Sequence, residues 1–111
     1  MAIGAWSAYG RAMPLYIVPR TRAWLSEEER AAAAECLPAV LEHMQGGDVR
    51  FIRSYIVREE DGTFGAFCVY EATNPEAILA HSESVMLPTD AIKEIDETVI
   101  SAPDPEPIRA A

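Results

Sequence analysis

The sequence predicts an α+β domain of the ferredoxin-like class, with elements in the order β-α-β-β-α-β. Two β-rich runs flank the turn signal Asp61-Gly62, which favours a hairpin. Two further segments begin with helix-capping residues, and a short apolar run lies near each end of the chain. We therefore expect one four-stranded antiparallel sheet with both helices on one face. The strands are expected near 14–19, 49–57, 64–71 and 92–99, and the helices near 26–44 and 75–85.

The central hairpin carries apolar residues on both faces of its strands. At two-residue spacing, its first strand divides into Val49, Phe51, Tyr55 and Val57 against Ile52, Ser54 and Ile56. Its second strand divides into Phe64, Ala66, Cys68 and Tyr70 against Phe67 and Val69. The residues on a solvent-exposed face of a sheet are normally polar. Both faces of this hairpin should therefore be covered by other parts of the protein or by a partner. Two helices cover one face, and a second copy of the chain is the economical cover for the other. This predicts a homodimer of the dimeric α+β barrel type.

The first helix is predicted to begin at the capping box 26–29, Ser-Glu-Glu-Glu, and to end at Gly46-Gly47. Pro38 removes a backbone hydrogen bond and should kink or split it. The second helix should begin with Asn74 as its N-cap and Pro75 at its first position. The apolar residues of the first helix recur at helical spacing and should form one buried stripe: Ala33, Cys36 or Leu37, Val40, Leu41 and Met44.

The length and net charge of the chain restrict the class of protein to which it can belong. The 111 residues suffice for one domain, which we place at 13–100, between an N-terminal extension (1–12) and a proline-rich tail (101–111). The net charge of −9 argues against nucleic acid and anionic membrane surfaces as partners. Two cysteines within element patterns, with no signal peptide or membrane-spanning run, indicate a cytoplasmic protein.

Several short motifs occur together in one order. They are MPLYIVPRT (13–21), VRFIRSY (49–55), FCVYEA (67–72), PEAILAH (75–81) and LPTDAI (87–92). With this spacing the chain resembles the DUF4242 domain family, small ferredoxin-like proteins that include a nickel-binding protein. The resemblance covers about residues 13–99, and it implies Ni²⁺ or Zn²⁺ as a ligand and no organic cofactor. The chain departs from the family pattern at Met86, where Gly is usual, and at 64–66.

Candidate metal ligands centre on His81, which falls within a family-matching motif. A neutral imidazole is a common ligand for nickel and zinc. Glu71 and Asp90 are the nearest oxygen donors that the topology suggests. The chain has no H-x-x-x-H or C-x-x-C spacing, so a site would gather ligands in space or across a dimer. The alternative is an ordinary helix histidine, and His43 is interpreted as structural or solvated.

Polar residues on the central strands form a second candidate group: Arg20, Arg53, Tyr55 and Tyr70. They could line a cavity for a small-molecule ligand, or they could make hydrogen bonds at an interface. Cys68 is expected to be a small core residue rather than a soft ligand. The sequence shows no pairing of a nucleophile with a base and no glycine-rich phosphate loop.

Three functions fit these observations. The first is a small homodimeric binding protein for a divalent transition metal, with nickel implied by the resemblance. The second is a cofactor-free enzyme of the dimeric α+β barrel kind, acting on a small aromatic or polyketide-like substrate. The third is a protein-interaction module that docks its apolar sheet face on a different protein.

Overall fold

The chain was analysed as a computed structural model, which describes residues 13–106. Its elements follow the predicted order β-α-β-β-α-β. The strands are β1 (Leu15–Trp24), β2 (Val49–Arg58), β3 (Phe64–Ala72) and β4 (Lys93–Glu94), and the helices are α1 (Glu27–Met44) and α2 (Pro75–Ser84). None of the described helices is long and apolar enough to cross a membrane. The predicted N-terminal extension and residues 107–111 of the predicted tail lie outside the described residues.

The four strands form one antiparallel sheet in the order β2-β3-β1-β4. This confirms the predicted α+β class with a four-stranded antiparallel sheet and two helices. In the register of the two central strands, Tyr16 lies opposite Tyr70 and Val18 lies opposite Cys68. Partners across a ladder share a face, so these four side chains lie on the same side of the sheet.

Both helices cover that side, as predicted. Ile78 of α2 is fully buried in one core cluster with Val18 and Tyr70, and Met44 of α1 packs against the same cluster. We call the side that carries Val18, Cys68 and Tyr70 the helix face. The opposite side, which carries Ile17, Phe67 and Val69, is called the second face. The predicted division of β3 into two apolar faces is therefore confirmed.

The predicted division of β2 is wrong, because the strand contains an irregularity. The register with β3 shifts between Phe51 and Arg53, and such a bulge inserts one residue that changes which side chains share a face. Val49 and Phe51 consequently lie on the helix face together with Ser54 and Ile56, opposite Ala72, Tyr70, Cys68 and Ala66. Tyr55 lies opposite Phe67 and so belongs to the second face.

Helix α1 is capped as predicted but is not buried as predicted. The Ser26 hydroxyl accepts a hydrogen bond from the Glu29 backbone N–H at 3.1 Å, and the helix runs through Pro38 without being split. The prediction of a buried stripe is wrong, since no residue of this helix is buried and Leu37 is 40% exposed. Met44 in the last turn packs against the core, and the Arg30 guanidinium in the first turn lies 5.7 Å from the centroid of the Phe64 ring, so the helix contacts the sheet near both ends.

The turns and the second helix follow the sequence signals. Gly62 adopts φ 90° in the tip between β2 and β3, a conformation that glycine tolerates without strain. The Asn74 side chain accepts from the Ala77 N–H at 2.9 Å, and Pro75 is the first residue of α2. Both predictions of a helix start and of a hairpin are confirmed.

Strand β4 is much shorter than the predicted strand at 92–99. It pairs Lys93 with Ile17 and Glu94 with Tyr16, and the Ile95 N–H then donates to the Leu15 carbonyl at 2.8 Å. Because β1 begins at Leu15 and β4 runs antiparallel to it, residues after Ile95 have no strand to pair with. The chain therefore leaves the sheet edge at this point.

Candidate functional site

The largest fully buried side chain among the described residues is that of Arg20. This residue lies on β1, points to the helix face and is 1% exposed. It donates to the Cys68 Sγ at 3.3 Å, the Pro88 carbonyl at 2.8 Å, the Thr89 Oγ1 at 3.3 Å, the Tyr70 hydroxyl at 3.0 Å and the Ser82 Oγ at 2.9 Å. A guanidinium has five N–H groups. These contacts therefore leave no donor of Arg20 free for a ligand.

The acceptors around Arg20 are a thiol, a carbonyl and three hydroxyl groups, none of which is a carboxylate. Buried charges are normally paired with an opposite charge, because desolvation is costly. Here the charge is instead distributed over neutral dipoles from β3, α2 and the segment that follows α2. The network thus joins three parts of the fold that are distant in sequence.

Tyr70 and His81 extend this network toward the surface. Burial raises the pKa of Tyr70 to about 12, so the phenol is neutral at physiological pH. The half-buried His81 ring packs edge-on against Tyr70, with centroids 5.5 Å apart. Burial and, secondly, the charge of Arg20 lower the pKa of His81. The imidazole is therefore neutral, as a metal ligand must be, but it lies near a buried cation that repels a second one.

The three predicted metal ligands do not meet within one copy of the chain. Glu71 shares the second face with Val69, and its Oε1 accepts from the Arg50 Nε at 2.7 Å. His81 packs on the helix face against Tyr70. The Asp90 carboxylate accepts from the backbone N–H of Thr21 at 2.7 Å and from its hydroxyl. The three predicted ligands thus contact three different residues and do not contact one another.

A wider search of the described residues gives the same result. No group of three or more His, Cys, Asp or Glu side chains among them could hold a metal ion. Residues 1–12 and 107–111 contain none of these four residue types. Within one copy, the His, Cys, Asp and Glu side chains that the structure describes therefore do not fit a nickel site. The ligand set His81, Glu71 and Asp90 stays a prediction that requires a second copy.

The second predicted polar group separates into two pairs on opposite faces of the sheet. Arg20 and Tyr70 are hydrogen-bonded within the helix face. Arg53 and Tyr55 are exposed on the second face, where the Arg53 Nη1 donates to the Tyr55 hydroxyl at 3.2 Å. The Asp104 Oδ2 accepts from Tyr55 at 2.8 Å and from Arg53 at 3.3 Å.

Sequence reasoning missed Ser82 and Asp104. Ser82 is fully buried one helical turn after Ile78, and the four-residue spacing was a usable signal for that position. Asp104 lies 49 residues from Tyr55, and no local pattern in a proline-rich segment indicates such a contact. His43 is exposed in the last turn of α1, and Cys68 is buried, as expected for both.

One protein-family model matches residues 16–95, which include both helices and nearly all of the sheet. The description of that family is nickel responsive protein SCO4226-like. The chain belongs to the SCO4226-like family. No curated protein matches it, and no solved structure does. In this SCO4226-like chain the family match ends at Ile95, where the chain leaves the sheet, so Asp104 lies beyond it.

Proposed function

We propose that this SCO4226-like chain is a small nickel-responsive binding protein that works as a homodimer of ferredoxin-like domains. The observation that carries the proposal is the family match, which spans residues 16–95 and so includes almost the whole sheet and both helices. The DUF4242 resemblance found in the sequence motifs is compatible with that family and also points to nickel.

The ferredoxin-like class is supported by topology. The element order is β-α-β-β-α-β, the outer strands of the sheet are β2 and β4, and both helices cover one face. The homodimer is supported by the second face, where Tyr55 is 44% and Phe67 is 41% exposed. A second copy on that face would remove these aromatic side chains from water.

Nickel binding by this chain requires ligands from more than one copy. Among residues 13–106 of one copy there is no group of three suitable side chains, and each chain contains two histidines. His81 is the better candidate of the two, because it lies within the family-matching motif at 75–81 and packs half-buried against Tyr70. Glu71 and Asp90 remain the proposed oxygen donors. A dimer that brings His81 of one copy near carboxylates of the other would complete a site.

The enzyme alternative has less support from the geometry. Arg20 and Tyr70 were candidates for a substrate cavity, but every N–H group of Arg20 is engaged within the chain. A substrate would have to displace buried hydrogen bonds to reach this guanidinium. The geometry therefore favours a structural role for Arg20 over substrate binding.

Calorimetry with Ni²⁺ on protein prepared without a histidine tag tests the proposal. We expect the wild type to bind, His81→Ala to lose at least about tenfold in affinity, and His43→Ala, the matched control, to bind like the wild type. Binding should also weaken as the pH falls, because a protonated imidazole cannot coordinate a metal. Equal affinity in all three proteins would remove His81 from the site. A wild type that does not bind Ni²⁺ would overturn the nickel proposal.

A further inference from the structure

Two hydrogen-bond donors on the second face converge on a single carboxylate oxygen. The Tyr55 hydroxyl donates to the Asp104 Oδ2 at 2.8 Å, and the Arg53 Nη1 donates to the same oxygen at 3.3 Å. The Arg53 Nη1 also donates to the Tyr55 hydroxyl at 3.2 Å, which keeps the two donor groups together. A guanidinium and a phenol that share one acceptor oxygen have the chemistry that recognises a carboxylate.

Both donors are presented by one strand, so the sheet itself holds them close together. Arg53 and Tyr55 are two residues apart on β2, where side chains alternate between the faces, and both therefore lie on the second face. Strand β2 is an outer strand, which places the pair at the rim of that face. The Arg53 side chain is 51% exposed and Tyr55 is 44% exposed, so a dissolved ligand has access to both donors.

The sheet surface beside the donor pair is apolar. In the register with β3, Tyr55 lies opposite Phe67 and Arg53 lies opposite Val69. Side chains that oppose each other on one face lie close enough to interact, and Phe67 is 41% exposed. A ligand whose carboxylate met the two donors would place its remaining atoms next to Phe67. This arrangement favours a carboxylate that carries an apolar group over a bare inorganic anion.

The carboxylate that occupies the donor pair belongs to a weakly attached segment. After the Ile95 N–H donates to the Leu15 carbonyl at 2.8 Å, every residue from 96 to 104 is exposed. Among these described residues, Asp104 is the one that forms a hydrogen bond or an ion pair with the sheet. An exposed ion pair adds little to the stability of a fold. A free carboxylate would therefore displace Asp104 at a small cost.

A carboxylate on a tether competes with a free one for the same donors. Asp104 is joined to the sheet edge through residues 96–103, and a group on a short flexible tether has an effective concentration on the order of millimolar. The apparent affinity for a free ligand is reduced by the fraction of molecules in which the tethered group fills the site. Removing the Asp104 carboxylate should therefore strengthen the binding of a free carboxylate.

We infer that Arg53 and Tyr55 form a binding site for a small organic carboxylate with an apolar body, and that Asp104 regulates this site by filling it from within the chain. None of these three residues is among the proposed nickel ligands, so the inference goes beyond the proposed function and does not depend on it. Asp104 lies outside the family match at 16–95, so this form of competition comes from the chain's own C-terminal segment.

Titration with sodium benzoate tests the site, followed by the NMR chemical shifts of the ¹⁵N-labelled full chain. Benzoate joins a carboxylate to an apolar ring, and benzamide is the neutral probe of the same shape. We expect Asp104→Ala to bind benzoate at least about threefold more tightly than the wild type, because the competing carboxylate is gone. Asp96→Ala is the matched control, since it removes the same charge from an exposed position of the same segment. It should bind like the wild type.

The donors have a separate readout in the Asp104→Ala background. Arg53→Met and Tyr55→Phe should each weaken benzoate binding at least about threefold, because each removes one donor to the carboxylate. Arg58→Met is the matched control. It removes the same charge from the same strand, but Arg58 lies over the Phe64 ring on the helix face. Circular dichroism should show that the variants are folded, and sedimentation velocity restricts the comparison to samples with the same association state.

Three results would overturn the inference. The first is an Asp104→Ala protein that does not bind benzoate, or that binds benzamide equally well, because the site would then not recognise a carboxylate. The second is an affinity that Arg53→Met and Tyr55→Phe leave unchanged, because the ligand would then lie elsewhere. The third is equal affinity in the wild type, Asp104→Ala and Asp96→Ala, which would remove the regulation by Asp104. Each of these results leaves the nickel proposal and the homodimer standing.

Discussion

The two faces of the sheet each carry an arginine next to a tyrosine. One pair is buried and the other is exposed to solvent. On the helix face, Arg20 is 1% exposed and Tyr70 is 2% exposed, and the guanidinium has five acceptors from the same chain. On the second face, Arg53 and Tyr55 are exposed and share one carboxylate, that of Asp104.

The difference shows how one pair of residue types serves two purposes. A buried polar group whose partners are all within the chain contributes to the stability of one arrangement, and losing any partner is costly. An exposed ion pair contributes little to folding, but its groups are accessible to a second molecule. We therefore expect changes on the helix face to alter folding and changes on the second face to alter assembly.

The largest effect should come from Arg20. Arg20→Met leaves the Ser82, Tyr70 and Pro88 groups without their donor, so we expect a loss of about 3–5 kcal/mol in the free energy of unfolding. Arg53→Met, the same change on the second face, should cost less than about 1 kcal/mol. Urea denaturation monitored by circular dichroism measures both. Similar losses in the two variants would remove the proposed distinction between the faces.

A core truncation should give the next largest effect. Ile78 is fully buried against the helix face, and Ile78→Ala should cost about 2–5 kcal/mol through lost burial and the remaining cavity. Ile17 lies half-buried on the second face, and Ile17→Ala should cost roughly 1 kcal/mol when measured on the monomer. Denaturation at several protein concentrations separates folding from assembly. A cost for Ile17→Ala as large as that for Ile78→Ala in the monomer would contradict this prediction.

A smaller effect should depend on pH through His81. Burial and the charge of Arg20 lower its pKa from the ordinary value of 6.5 in the folded chain. The unfolded chain then binds the proton more readily, so the contribution to stability is complete above pH 6.5 and is lost as the pH falls through that value toward the folded pKa. Thermal unfolding between pH 5 and 8 should show this loss in the wild type and less of it in His81→Gln. His43→Gln is the matched control, and an unchanged profile in His81→Gln would refute the prediction.

The smallest effect should come from the contact between Asp104 and Tyr55. A double-mutant cycle with Asp104→Asn and Tyr55→Phe, measured on the monomer by urea denaturation, should give a coupling of about 0.2–1 kcal/mol. A coupling of several kcal/mol would mean that residues 95–104 belong to the folding unit rather than to the assembly surface.

The local signals of the sequence were sufficient for the elements and their order. Ser26 and Asn74 cap the two helices because their side-chain oxygens reach backbone N–H groups three residues later. Gly62 adopts the positive φ that the hairpin tip requires. These features depend on a few consecutive residues, and so the sequence shows them directly.

Predictions that depended on partners elsewhere in the chain were less successful. The faces of β2 were misassigned because a bulge near Arg53 is set by pairing with β3. The strand predicted at 92–99 ends early because Ile95 already reaches Leu15, the first residue of β1, so the residues after it have no strand partner. The apolar spacing of α1 indicated a helix, but it did not show that the helix would meet the core mainly at Met44.

The sequence by itself determined the α+β class, the element order, the two helix caps, the hairpin and the family motifs. Each of these depends on neighbouring residues or on their spacing. Only the tertiary structure decided what the polar residues do. It surrounded Arg20 with acceptors up to 69 residues away, separated His81 from Glu71 and Asp90, and brought Asp104 to Tyr55. Long-range contacts of this kind depend on how the strands and helices pack, which local sequence patterns do not specify.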